Sequence, residues 1–221
     1  TISREKFHAL PADYRLFSCR DEIDWLYNVR CNDIISNPVA NSFAVVGNAK
    51  SWLFIKNTKV SREIASQLSQ EGIEIRDYHH LFLFLEELDK NSVFTVDSAT
   101  LKYAVYHKLF TEFQVKEQES PIVLAKAIKN PIEVEGFRKA CIKDSVALTK
   151  FFYWVERNIG NHLTEISVSE QLSAFRAQND GYAEDSFANI SAYGANAALP
   201  HYSAIPGEDA ELQPRGFYLI D

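Results

Sequence analysis

Two residues in this chain have the type and setting for hydrolytic chemistry. Asp221 closes an apolar run, Phe217-Tyr218-Leu219-Ile220, that reads as a strand. A carboxylate at a strand end is held by a rigid element, where an oxygen ligand for a hard divalent cation is useful. Strand-end aspartates also cap turns, and taken alone Asp221 reads more simply that way. His201 lies in the loop Ala198-Leu199-Pro200-His201-Tyr202. An imidazole there can donate to a substrate carbonyl or to the charge that develops on it. A loop histidine bonded to backbone is again the simpler reading. His79 and His80 are adjacent, so their side chains diverge, and the pair is read as structural. No HExxH helix, phosphate-binding glycine loop, CxxC pair or G-x-S-x-G turn occurs in the sequence.

The elements that would carry these residues come in two styles. From Tyr14 to Leu109 short strands and helices alternate: a strand at Tyr14–Ser18, a helix from Asp21 to Tyr27, and a hairpin of Ser42–Gly47 with Ser51–Ile55. There follow a helix from Ser61 to Gln70, a strand at Ile73–Ile75, a helix from His80 to Leu88, a strand at Val93–Val96 and a helix from Thr100 to Leu109. Thr1–Lys6 reads as a helix start inside a longer protein. The acids Asp21, Glu22 and Asp24 suit the first turn of a helix. The charged, turn-prone stretch Lys116–Pro121 marks a boundary, giving domains 1–120 and 121–221. Beyond it a long helix runs from Pro131 to about Ile159, with Phe137, Cys141, Leu148, Phe152, Val155 and Ile159 on its apolar face. Phe151, Phe152 and Trp154 are expected in the core. A second helix covers Ser167–Gln178, followed by strand and loop, including Phe187–Tyr193. The pattern is mixed α/β.

Composition narrows the function classes. Hydrophobic residues are 46% of the chain and charged residues 24%, which supports a packed core. The net charge is −7 with no basic cluster, which disfavours a nucleic-acid or anionic-membrane partner. No apolar run reaches the length of a membrane span. Cys19, Cys31 and Cys141 lack metal-type spacing, and they read as free buried thiols of a reducing compartment.

The order of several segments is more informative than any single residue. Asp21–Arg30 (DEIDWLYNVR), Asn32-Asp33-Ile34 and Asn37-Pro38-Val39 form the first. Leu124–Asn130 (LAKAIKN) with Glu133, Glu135, Gly136, Arg138 and Lys139 form the second. Asp144–Leu148 with Phe152 and Trp154–Glu156 follow, then Ser186-Phe187, Ile190-Ser191, Gly194, Asn196–Ala198 and His201-Tyr202, and last Tyr218–Asp221 (YLID). In this order they resemble the three-domain, cytosolic-type Xaa-Pro aminopeptidases (aminopeptidase P) of the pita-bread metallopeptidase family. Cys31 departs from the pattern, which has glycine there.

The resemblance implies a creatinase-N-like α/β domain followed by the N-terminal half of a pita-bread catalytic domain. It implies a cytoplasmic enzyme that removes the N-terminal residue from peptides with proline in second place. Two divalent ions are implied, manganese foremost, with zinc or cobalt as alternatives. Asp221 corresponds to the first of five metal ligands, with the other four beyond residue 221, and His201 to a residue that binds substrate and stabilises the reacting carbonyl. On this reading the 221-residue chain alone is inactive, and a homodimer is the expected assembly. A non-catalytic pita-bread binding module and a prolidase-like dipeptidase are the alternatives.

Overall fold

The computed structural model of the chain describes residues 12–221. The helix start read at Thr1–Lys6 lies outside the described residues. The chain packs as two units, divided between Ile128 and Lys129.

The first unit is built from Tyr14–Phe17 (β1), Arg20–Tyr27 (α1), Ser42–Gly47 (β2), Ser51–Ile55 (β3), Arg62–Gln70 (α2), Ile73–Arg76 (β4), Leu81–Glu87 (α3), Val93–Val96 (β5), Tyr103–Glu112 (α4), Gln114–Glu117 (β6) and Pro121–Ala127 (α5). Six strands form one sheet in the order β4-β3-β2-β1-β5-β6. The β2–β3 hairpin and the β1–β2 pair are antiparallel; β3–β4, β1–β5 and β5–β6 are parallel. Successive side chains of a strand face opposite sides, and both sides of this sheet are covered. Phe43 and Val45 join Phe54, Phe94 and residues of α3 and α4 on one face. Ala44 and Val46 join Leu53, Ile55 and residues of α1, α2 and α5 on the other. That double burial explains why β2 reads as a continuous apolar run.

The boundary expected at 120/121 is displaced. Gln114–Glu117 is a strand at the sheet edge, paired in parallel with β5. Lys116 and Glu117 stay exposed, as edge charges do, so the segment carries no alternating apolar signal. Helix α5 belongs to the first unit because Ile122 is fully buried among the sheet residues. The Ser120 hydroxyl, which also caps α5, donates to Glu22 Oε2 at 2.6 Å.

The acids of α1 are likewise more than helix-start charges. Glu22 and Asp24 are 4% and 2% exposed. Asp24 Oδ2 accepts the Ala40 N–H at 2.6 Å, tying the returning loop to the helix, while no donor among the described residues reaches Oδ1.

The second unit contains Pro131–Asn158 (α6), Glu165–Ala177 (α7), Ser191–Tyr193 (β7) and Tyr218–Ile220 (β8). Helix α6 opens with a reciprocal cap: Asn130 Oδ1 accepts from the Glu133 N–H at 3.0 Å, and Glu133 accepts from the Asn130 N–H at 2.8 Å. Pro131 fills the first turn. The core gathers Phe151, Leu163, Val168, Leu172 and Leu212, with Leu148, Trp154, Val155 and Ile159 against it.

The apolar face expected for α6 is only half correct. Phe137 and Phe152 are 58% and 51% exposed, and Cys141 is exposed. Ala147 and Phe151 are the buried positions instead. Periodicity counts apolar residues on a helix, but the neighbour decides the seam, and here the packed residues fall in the C-terminal half of α6. The thiols are free as expected but not buried: Cys19 and Cys31 are half-buried. The strand read from Phe187 is shorter, forming only at Ser191–Tyr193.

Candidate active site

Asp221 follows β8 directly. The β7–β8 ladder pairs Ser191 with Ile220, Ala192 with Leu219 and Tyr193 with Tyr218. It continues one step further: Asp221 N–H donates to the Ile190 carbonyl at 3.0 Å, and Ile190 N–H donates to the Asp221 carbonyl at 3.1 Å. Both backbone groups of Asp221 are therefore fixed, and its side chain is exposed. The other end of the pair depends on Gly216, whose φ is +102° and whose place leaves no room for a side chain: a Cβ there would sit 2.8 Å from Tyr193 Oη.

His201 closes the 3₁₀ segment Gly194–Ala198 and its following turn. It is exposed and adopts φ 55°, a left-handed backbone uncommon for a side-chain-bearing residue. Its neighbour Tyr202 turns inward, and the Tyr202 hydroxyl donates to Glu165 Oε2 at 2.8 Å.

Glu165 is the residue that sequence reasoning passed over. It is the first residue of α7, whose Thr164 cap exchanges hydrogen bonds with Ser167. Its side chain is fully buried. The carboxylate accepts from Tyr193 N–H at 2.6 Å, Ala210 N–H at 3.0 Å, Tyr202 Oη at 2.8 Å, and Asn196 Nδ2 at 3.1 and 3.3 Å. Burial pushes the carboxyl up, but these donors outweigh it and hold it below its ordinary value. Its main-chain carbonyl accepts from the Ser191 hydroxyl at 2.6 Å, which in turn lies 2.8 Å from Tyr218 Oη. Burial pushes the Tyr218 phenol up to about 12. Helix α7 begins two residues before the expected Ser167, and the Thr164-Glu165 pair is the local signal that could have marked it. The donors to Glu165, spread from 193 to 210, have no such local signal.

A cleft of about 400 Å³ opens beside this network, lined by Glu165, Ser169, Asp185, Asn189, Ser191 and Ser203 among others. His201 and Asp221 do not line it. The two candidates thus sit in one unit, each tied through a neighbour to Glu165, without meeting directly. His79 and His80 lie in the first unit, in a 3₁₀ turn capped by Asp77. Among the described residues no group of three or more His, Cys, Asp and Glu side chains could hold a metal ion. Asp221 suits one oxygen position of a divalent cation, and the described residues supply no complete centre. No helix among them is long and apolar enough to cross a membrane.

The first unit is a six-stranded mixed sheet flanked by helices, and the second packs two helices against the strand pair that carries Asp221. The chain belongs to the creatinase/prolidase N-terminal domain family, matched over residues 3–133, and its residues 135–221 match the model of metallopeptidase family M24. Among its relatives, Xaa-Pro aminopeptidase 1 of Dictyostelium discoideum is 37% identical over 99% of this chain and 35% of its own length. Aminopeptidase P1 of Lotus japonicus is 32% identical over 93% of this chain and 41% of its own length. The crystal structure of the X-prolyl aminopeptidase from Caenorhabditis elegans, described as a cytosolic enzyme with a di-nuclear active site, superposes with a TM-score of 0.89. It is 28% identical, over 99% of this chain and 37% of that one. The chain therefore spans well under half the length of these relatives.

Proposed function

We propose that the protein carrying this chain is a metal-dependent aminopeptidase that removes the N-terminal residue from peptides with proline in second position. The reading is supported by the family match through both units and by the relatives named above. The observation that carries it in this molecule is the backbone of Asp221, held to Ile190 by two hydrogen bonds that continue the β7–β8 ladder. In this proposal Asp221 is a metal ligand, and His201 donates a hydrogen bond to the substrate carbonyl before proline. A pair of divalent ions, manganese foremost and zinc or cobalt as alternatives, supplies the activated water when bound. The bond before proline has no N–H, so a site for it must recognise the carbonyl and the free amino end instead. A cytosolic location and a homodimer belong to the same proposal.

The test uses the whole protein with added manganese, on peptides differing only in proline or alanine at the second position. Release of the first residue from the proline peptide, abolished by chelation and by Asp221→Ala, is expected. Binding without cleavage assigns a non-catalytic module, and cleavage confined to dipeptides assigns a prolidase-like enzyme. The isolated 221-residue chain is expected to show no turnover and weak manganese binding, because one carboxylate cannot hold two cations. Clear turnover by that chain overturns this part of the proposal.

A further inference from the structure

We propose that Glu165 is a positioning residue for His201, acting through Tyr202 and Asn196. This rests on the aminopeptidase reading above for the role of His201, and on the geometry for the rest. A left-handed, exposed histidine has few local restraints of its own. The residue after it is anchored by a hydroxyl that reaches a buried carboxylate at 2.8 Å and accepts from Asn196 Nδ2 at 3.0 Å. That carboxylate is itself immobilised by two main-chain N–H groups, one at the end of β7 and one at Ala210 on the far side of the loop. The loop from Gly194 to Asp209 is thus pinned at its start, its middle and its end to a single side chain.

The same residue reaches the strand pair that ends on Asp221. Its main-chain carbonyl holds the Ser191 hydroxyl, and Ser191 pairs with Ile220 across the ladder. Glu165 therefore joins the loop that bears the proposed carbonyl-binding group to the sheet that bears the proposed metal ligand. Among the described residues nothing around it gives it a proton-transfer role. It is fully buried, and every bond to it is a donor that stabilises the charged form. Its work is geometric.

A double-mutant cycle on the whole protein separates positioning from simple structural support. Tyr202→Phe cuts the link while leaving the carboxylate and its two main-chain donors in place. It is expected to lower kcat/KM on an Xaa-Pro peptide by about 10- to 100-fold, the scale of a misplacement near 1 Å. His201→Ala is expected to lose at least as much, and Tyr202→Phe/His201→Ala to be no worse than His201→Ala alone. Glu165→Gln repeats the cycle, because the Tyr193 N–H, the Ala210 N–H and Asn196 Nδ2 that face its amide only donate. Hydrogen exchange supplies a readout independent of activity: the Leu199 amide, which donates to the Asn196 carbonyl at 3.0 Å, is expected to exchange at least about 10-fold faster in Tyr202→Phe, with the melting temperature nearly unchanged. Multiplicative losses in the cycle, or unchanged exchange at Leu199, overturn the positioning role. A protein that cleaves no Xaa-Pro peptide but shows the local exchange effect keeps the anchoring and refutes the aminopeptidase reading instead.

Discussion

Replacing Asp24 by asparagine probes the first unit at a buried carboxylate with one uncompensated oxygen. Asp24 is 2% exposed; its Oδ2 accepts from Ala40 N–H at 2.6 Å, and its Oδ1 has no donor among the described residues. Burial pushes the carboxyl from 3.8 up to about 6, against the Ala40 N–H and Arg30, which pull it down. A raised acid binds its proton more tightly folded than unfolded, so between 3.8 and about 6 the native state holds more protons. Stability then rises as pH falls through that window, and the penalty is complete above about 6. The interval corresponds to about 3 kcal/mol at pH 7, by 1.36 kcal/mol per pH unit. In Asp24→Asn the amide oxygen keeps the Ala40 bond, and an unpaired amide replaces the charge at a cost of about 1–3 kcal/mol. The variant is therefore expected to match the parent at pH 7 or exceed it by up to about 2 kcal/mol, and to lose the rise in stability between pH 7 and 4 that Asp24 contributes. Urea unfolding at pH 4, 5, 6 and 7, followed by the fluorescence of Trp25 and Trp52, measures both quantities. A loss of more than about 2 kcal/mol at pH 7 with the parent's pH slope retained would mean that Asp24 is a well-paired carboxylate, and the argument from Oδ1 would fail.

Two further predictions concern the second unit. Gly216→Ala forces a side chain onto φ +102° and against Tyr193 Oη, so it is expected to cost about 1–3 kcal/mol and to raise amide exchange at Ile190 and Asp221. Phe151→Ala removes a fully buried ring and is expected to cost about 3–5 kcal/mol, whereas the 51%-exposed Phe152→Ala is expected to cost under about 1 kcal/mol. Thermal unfolding of the two variants side by side checks the seam of α6, and equal losses would restore the face that periodicity alone suggests.

Much of the fold was legible because it is encoded locally. The β2–β3 hairpin and the start of α6 at Pro131 each depend on residues within a few positions of one another. Asp221 and His201 were also legible as candidates, the first from an apolar run that ends on an acid, the second from its setting in a loop of small residues. Their family meaning came from the order of whole segments, not from either residue. The edge strand β6 was not legible, because an exposed edge carries no apolar alternation. The burial of Asp24 and Glu22 was not legible either, since their partners Ala40 and Ser120 lie 16 and 98 positions away.

Sequence alone thus determined most of the elements and which residues have the chemistry to act, because both are largely local properties of residue type and spacing. Only the tertiary structure decided which carboxylates are buried, which helix face is the seam, and that Glu165 gathers donors from positions 193, 196, 202 and 210. A carboxylate becomes an anchor through the donors folded around it, and no spacing along the chain specifies where those donors come from.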